Sequence, residues 1–76
     1  MNATELRVEM VRAGKSVEEL SRELGVAPTT LYRKLDGKSD FGLSELKVIK
    51  NSLGLDDEAV KRIFFADELN KTQDND

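Results

Sequence analysis

Apolar residues recur along this chain at spacings of three and four, the period of an amphipathic helix. Ala3, Leu6, Met10 and Ala13 share one face of a first helix over about Ala3 to Ala13, with Asn2 and Glu5 in capping-box positions and Gly14 as its stop. Val8 and Val11 lie on a different face of it. Leu20 and Leu24 stand four apart in a second helix that starts after Ser16, a good N-cap with Glu19 three residues on, and ends at Gly25. Leu31 and Leu35 repeat the spacing in a third helix. It starts around Pro28, whose missing N–H is harmless in a first turn, and ends at Asp36-Gly37. Leu46, Ile49 and Leu53 stripe a fourth helix over about Leu43 to Leu53, and Val60, Ile63 and Phe64 a fifth that begins after Asp56 or Asp57. Phe41 is the one bulky apolar residue in the loop GKSDFG, where it is expected to plug the gap between the third and fourth helices. No alternating β-branched run and no hairpin dipeptide occurs.

These patterns predict an all-α fold of five helices in a domain spanning residues 1–66, with a polar segment, 67–76, that reads as disordered. The expected core comprises Leu6, Met10, Leu20, Leu24, Val26, Leu31, Leu35, Leu43, Leu46, Ile49, Leu53, Leu55, Val60, Ile63 and one or both of Phe64 and Phe65. A chain of 76 residues buries only about 60% of its unfolded surface, so this core suits a small bundle and not a deep substrate cavity.

Composition narrows the chemistry. The chain contains no Cys and no His, which excludes disulfides, thiolate catalysis, the usual zinc ligands and a His-based triad. Glu18, Glu19 and Glu23 read as a solvated helix face without a nucleophile or phosphate loop beside them, so no enzyme activity and no cofactor are expected. No apolar run approaches the ~20 residues of a membrane helix. The first residues lack a signal peptide's apolar stretch, and the expectation is a soluble cytoplasmic protein.

Net charge is −3, which argues against a strongly basic nucleic-acid binder. Its distribution changes that picture. Residues 1–55 hold nine Lys or Arg against eight Asp or Glu, whereas residues 56–76 hold three against seven. Between Thr29 and Lys38 the balance is +2.

The stretch SVEELSRELGVAPTTLYRKLDG, from Ser16 to Gly37, thus reads as two short helices joined by a glycine-containing turn. Its second helix carries Thr29, Thr30, Tyr32, Arg33 and Lys34 off the apolar stripe, where they can donate to phosphates or base edges. At about 100° per residue, Thr29 and Arg33 point most nearly away from Leu31 and Leu35.

The order of these features resembles the lambda-type repressor and Cro helix-turn-helix family, including the small Cro-like proteins of temperate phages of Gram-positive bacteria. The residues that carry the resemblance are Leu20, Ser21, Leu24, Gly25, Val26, Leu31 and Gly37, with LSELKVIKNSLGL as the fourth helix. It covers roughly Leu6 to Phe65. The resemblance implies a transcriptional regulator that inserts its third helix into the major groove of double-stranded operator DNA in a bacterial host cell. It implies base contacts from Pro28, Thr29 and Arg33, flanked by Thr30, Tyr32 and Lys34. It implies phosphate contacts from Ser16, Lys34, Lys38, Ser39 and Ser44. In many members an Arg of the first helix pairs with a Glu near the end of the third; here the neighbourhood offers Met10 and Leu35, and an apolar contact is expected instead.

A single module this small makes few contacts, so a homodimer is expected, with Phe64 and Phe65 on the fifth helix as its surface. Val8 and Val11 are expected either to be partly buried against a neighbouring segment or to form a partner patch. The alternative function is an antirepressor of the same fold that binds the repressor protein of the same phage switch. Net acidity, Pro28, Val8, Val11 and Phe65 favour it.

Overall fold

The computed structural model describes residues 1–66, which form five helices: α1 (Ala3–Ala13), α2 (Val17–Leu24), α3 (Pro28–Leu35), α4 (Leu43–Leu53) and α5 (Asp57–Phe64). No strand occurs among the described residues, and the fold is all-α. The polar segment 67–76 lies outside them.

Side chains close most helix starts. Ser16 and Glu19 make both halves of a capping box on α2, each hydrogen bond 3.1 Å long. On α1 only half a box forms. Asn2 Oδ1 accepts from the Glu5 amide at 3.1 Å, but the Asn2 amide donates to the Ile63 carbonyl at 2.6 Å. Glu5 turns instead to Arg62, 3.5 Å away. The start of α1 is therefore tied to the end of α5. Asp56 caps α5 by accepting from the Ala59 amide at 2.8 Å. Gly42 has no side chain to cap α4, and the Glu45 carboxylate accepts its amide at 2.8 Å. Ala27 makes no side-chain cap, so Pro28 starts α3 with packing as its support.

The turn between α2 and α3 needs a left-handed residue, and Gly25 supplies it at φ 74°. The Gly25 and Val26 amides then bond back to the Arg22 and Ser21 carbonyls at 3.2 and 3.0 Å.

The core is a single cluster drawn from every helix: Leu6 and Met10, Leu20, Leu31 and Leu35, Ile49 and Leu53, Ala59 and Ile63, with Leu55 from the α4–α5 turn. Leu24, Val26, Phe41, Val60 and Phe64 pack around it, partly buried. Helix α2 packs on α3 and α4, and α1 packs on α4 and α5. Ser21 is the one buried polar residue among those described, and its hydroxyl donates to the Glu18 carbonyl at 2.8 Å. A small side chain there lets α2 sit close to its neighbours.

Two core expectations change. Leu43 is 71% exposed, because six residues ahead of Ile49 it lies about 120° round the helix from that buried side chain. Ala59 replaces Val60 as the fully inward residue of α5, four residues before Ile63.

Candidate nucleic-acid interface

Leu31 and Leu35, at 0% and 2% exposure, fix the inner face of α3. Pro28, Thr29 and Arg33 are exposed, Tyr32 is 43% exposed, and Thr30 is half-buried at the edge. The outward set read from the wheel is thus on the surface. The end of α3 extends it. Gly37, at φ 79°, lets the chain reverse, and the Lys38 amide donates to the Arg33 carbonyl at 2.9 Å. The backbone of Lys38 is thereby drawn back to α3 beside Arg33. Lys38 and Ser39 are exposed, as are Ser16 and Ser44.

Lys34 behaves differently from its neighbours. Its ammonium donates to the Asp40 carbonyl at 2.8 Å and to Glu45 at 3.2 Å, and it lies 5.6 Å from the centre of the Phe41 ring. The side chain is only 13% exposed. Lys34 fastens α3 to the loop and to the start of α4, and the phosphate contact expected of it loses most of its donors. Phe41 packs edge-on against Phe64, 5.7 Å between ring centres, so it bridges the α3–α4 loop to α5 rather than filling only the gap between α3 and α4.

Glu45 holds this junction together. Its pKa lies below the ordinary carboxylate value of 4.5, first because the Gly42 amide donates to it and then because Lys34 does. A depressed carboxylate stabilises the fold fully above that ordinary value, and the contribution is lost as pH falls through the lower folded value. Glu45→Gln is therefore expected to make the acid limb of a urea-midpoint against pH curve shallower, with the largest loss of stability at neutral pH. An unchanged acid limb would remove Glu45 from this role. Glu23 is lowered in the same direction by Lys15, at 2.6 Å, and by the Ser52 hydroxyl. That hydroxyl is buried and makes no well-formed hydrogen bond.

Ion pairing separates the cations into two groups. Arg7, Arg12, Lys15, Lys34, Lys50 and Arg62 each face a carboxylate within the fold. Arg33 and Lys38 form no ion pair among the described residues; nor do Arg22, Lys47 and Lys61, although Arg22 lies near Glu19 and Glu23 and Lys61 near Asp57. The Arg7–Asp36 pair spans 3.9 Å between α1 and the end of α3. It places a cation beside the one acid counted between Thr29 and Lys38. Met10 and Leu35 are both in the core, as expected, yet an ion pair exists beside them, three residues before Met10 on α1 and one residue after Leu35 at the end of α3. Sequence reading missed it because the two residues are 29 apart and neither lies on its helix's apolar stripe.

The starts of α2 and α4 are less open to phosphate than their serines suggest. Ser16 and Glu19 satisfy each other, and Glu45 occupies the first amide of α4 with a negative charge. An incoming phosphate there meets a carboxylate already in place.

The four apolar residues assigned to a partner patch fall into two groups. Val8 and Val11 are 39% and 80% exposed on the outer side of α1, so partial burial against a neighbouring segment fails for Val11. Phe64 and Phe65 are half-buried and line an open cavity of about 640 Å³ with Met1, Leu35, Phe41 and Leu46. A surface built on Phe64 and Phe65 offers less exposed apolar area than expected. No group of acidic residues that could hold a metal occurs among the described residues, and no described helix is long and apolar enough to cross a membrane.

Comparison with family models, with curated proteins and with solved structures finds no match to this chain.

Proposed function

We propose that this chain is a DNA-binding transcriptional regulator of the lambda-repressor and Cro-like helix-turn-helix type. In this reading it belongs to the genetic switch of a temperate phage and works in the cytoplasm of the bacterial host. Helix α3 enters the major groove, with Arg33 as the bidentate reader of a guanine and Thr29 beside it on a thymine methyl or a phosphate. Pro28, Thr30 and Tyr32 flank them. Lys38 and Ser39, with Ser16 and Ser44 further out, meet the phosphates. Two copies on a two-part operator supply the affinity that one small module lacks.

One observation carries this reading. Arg33, on the face of α3 opposite its buried leucines, and Lys38, in the turn whose backbone bonds back to Arg33, are exposed cations with no ion pair among the described residues, in a domain that pairs most of its other cations internally. The test is binding of the full chain to duplex DNA from the region beside its own gene, followed by fluorescence anisotropy over a salt series. Few free cations imply a shallow dependence. With about two phosphates neutralised per copy, the slope of log K against log salt is expected near −2 per protomer. A slope of zero, or equal affinity for a scrambled duplex, would contradict specific recognition by this face.

The second reading is an antirepressor that uses this fold to bind the repressor protein of the same switch. Val11, 80% exposed on α1, and the carboxylates seated at the starts of α2 and α4 favour it. Under this reading the chain co-purifies with that repressor and shifts no DNA at moderate salt. No catalytic role is assigned in either reading.

A further inference from the structure

The turn between α3 and α4 carries Lys38 and Ser39, two of the side chains assigned above to phosphate, and two unlike anchors hold it. The Asp36, Gly37 and Lys38 amides donate to the Tyr32, Lys34 and Arg33 carbonyls at 2.9, 3.1 and 2.9 Å, and the backbone bonds to α3 end at Lys38. Beyond Lys38 the bond to α3 comes from a side chain. The Lys34 ammonium donates to the Asp40 carbonyl at 2.8 Å and to Glu45 at 3.2 Å. The same Glu45 oxygen accepts the Gly42 amide at 2.8 Å. Ser39 therefore lies between a backbone anchor at Lys38 and a side-chain anchor at Asp40. Lys38, Ser39 and Asp40 are exposed, whereas Lys34 and Glu45 are largely withdrawn from solvent. An ion pair withdrawn in this way is a costly means of packing a junction that already sets Phe41 against Phe64. What it adds is a single conformation for the turn.

We propose that Lys34 and Glu45 are positioning residues: they hold Lys38 and Ser39 in one arrangement before DNA arrives, and neither touches DNA. The role rests on the reading of α3 proposed above, whereas the clamp on the turn does not. A turn that is already ordered loses less freedom on binding, so the clamp raises affinity without adding a contact. Its effect is opposite in sign to that of charge alone. Glu45 sits in the first turn of α4 beside exposed Ser44, where a carboxylate opposes a phosphate. Charge alone makes Glu45→Gln a tighter binder; loss of the clamp makes it a weaker one.

The experiment has two arms, both on the full-length chain. They compare the native protein, Lys34→Met, Glu45→Gln and the double variant, which keeps the native net charge. In the first arm, without DNA, heteronuclear NOE values and amide exchange report the order of the turn. Loosening at Ser39, Asp40 and Phe41 in all three variants, with the amides of α1 and α2 unchanged, is the expected result. Native order at those residues in the variants would overturn the proposal. Urea denaturation checks that each variant is folded. Should a single variant fail to fold, the double variant, which leaves no lone charge at the junction, carries the test.

The second arm measures anisotropy with duplex DNA from beside the chain's own gene over a salt series. Each variant is expected to bind about threefold to tenfold more weakly. The double variant is expected to be no weaker than the weaker single one, since both substitutions break one device. The salt slope is expected to stay at the native value, whereas Lys38→Met is expected to lower it by about 0.9. Native affinity in the double variant, tighter binding by Glu45→Gln, or a slope lowered by about 0.9 in Lys34→Met would each overturn the positioning role while leaving the reading of α3 intact. Failure of the native chain itself to bind any duplex would refute that reading and overturn the positioning role with it, and the first arm would then show the clamp as scaffold alone.

Discussion

Leu31→Ala is expected to destabilise the domain by roughly 2–5 kcal/mol. Leu31 is fully buried and sits where α3 meets the helices beneath it, with Leu20, Leu35 and Ile49 in the same cluster. Truncation removes its transfer free energy and leaves a cavity that short helices on fixed turns close poorly. A chain of this length has a total stability of only about 4–11 kcal/mol, so the loss is a large share of it. Urea denaturation followed by circular dichroism reads the change directly. Leu43→Ala is the matched control, because that leucine is 71% exposed and its removal is expected to cost no more than about 0.5 kcal/mol. Equal losses from the two substitutions would show that the inner face of the bundle has been misassigned.

Under the proposed DNA-binding function, Arg33→Ala is expected to lower affinity for the operator by a factor of about 5–150, the equivalent of a bidentate contact worth 1–3 kcal/mol. Stability is expected to hold within about 0.5 kcal/mol, since Arg33 is exposed and makes no ion pair in the fold. Arg33→Lys separates two origins of the effect. Lysine restores the charge but not the planar fork, so it should recover non-specific binding and leave discrimination between duplexes impaired. If lysine restores both, Arg33 acts only as a charge. Anisotropy titrations of the three proteins against cognate and scrambled duplexes give all of these values.

The helices were legible in the sequence because their signals are local. Ser16 with Glu19, Pro28, Asp56 and the glycines at 14 and 25 each act within one turn, and the structure places helix ends at all of them. The outward side of α3 was legible for the same reason, as two buried leucines fix where Thr29 and Arg33 point. What stayed hidden depends on contacts between segments distant in the chain. Lys34 reads from the sequence as a free phosphate donor, whereas Glu45, Phe41 and the Asp40 carbonyl surround it in the fold. Arg7 and Asp36 became partners only through the packing of α1 near the end of α3. Asn2 lost half of its capping box to the Ile63 carbonyl, which no local rule anticipates. Leu43 shows the reverse limit: at the end of a stripe, a leucine is counted inward by composition and turned outward by helix phase.

The narrowing of the site follows from these distant contacts. Of the five donors on α3, Lys34 belongs to the scaffold and Thr30 is half-buried, which leaves Thr29, Tyr32 and Arg33 exposed, with Lys38 of the following turn as a second cation that forms no ion pair among the described residues. Phe64 and Phe65 are drawn toward Phe41 and Met1, and Val8 and Val11 are left as the exposed apolar pair on α1.

The most direct test of the DNA-facing role proposed for α3 is a two-dimensional NMR titration of the full chain with duplex DNA from beside its own gene. Shifts concentrated at Thr29, Thr30, Tyr32, Arg33 and Lys38, with Val8 and Val11 unmoved, are the expected result. Shifts absent at moderate salt, or confined to Val8 and Val11 on α1, would contradict it.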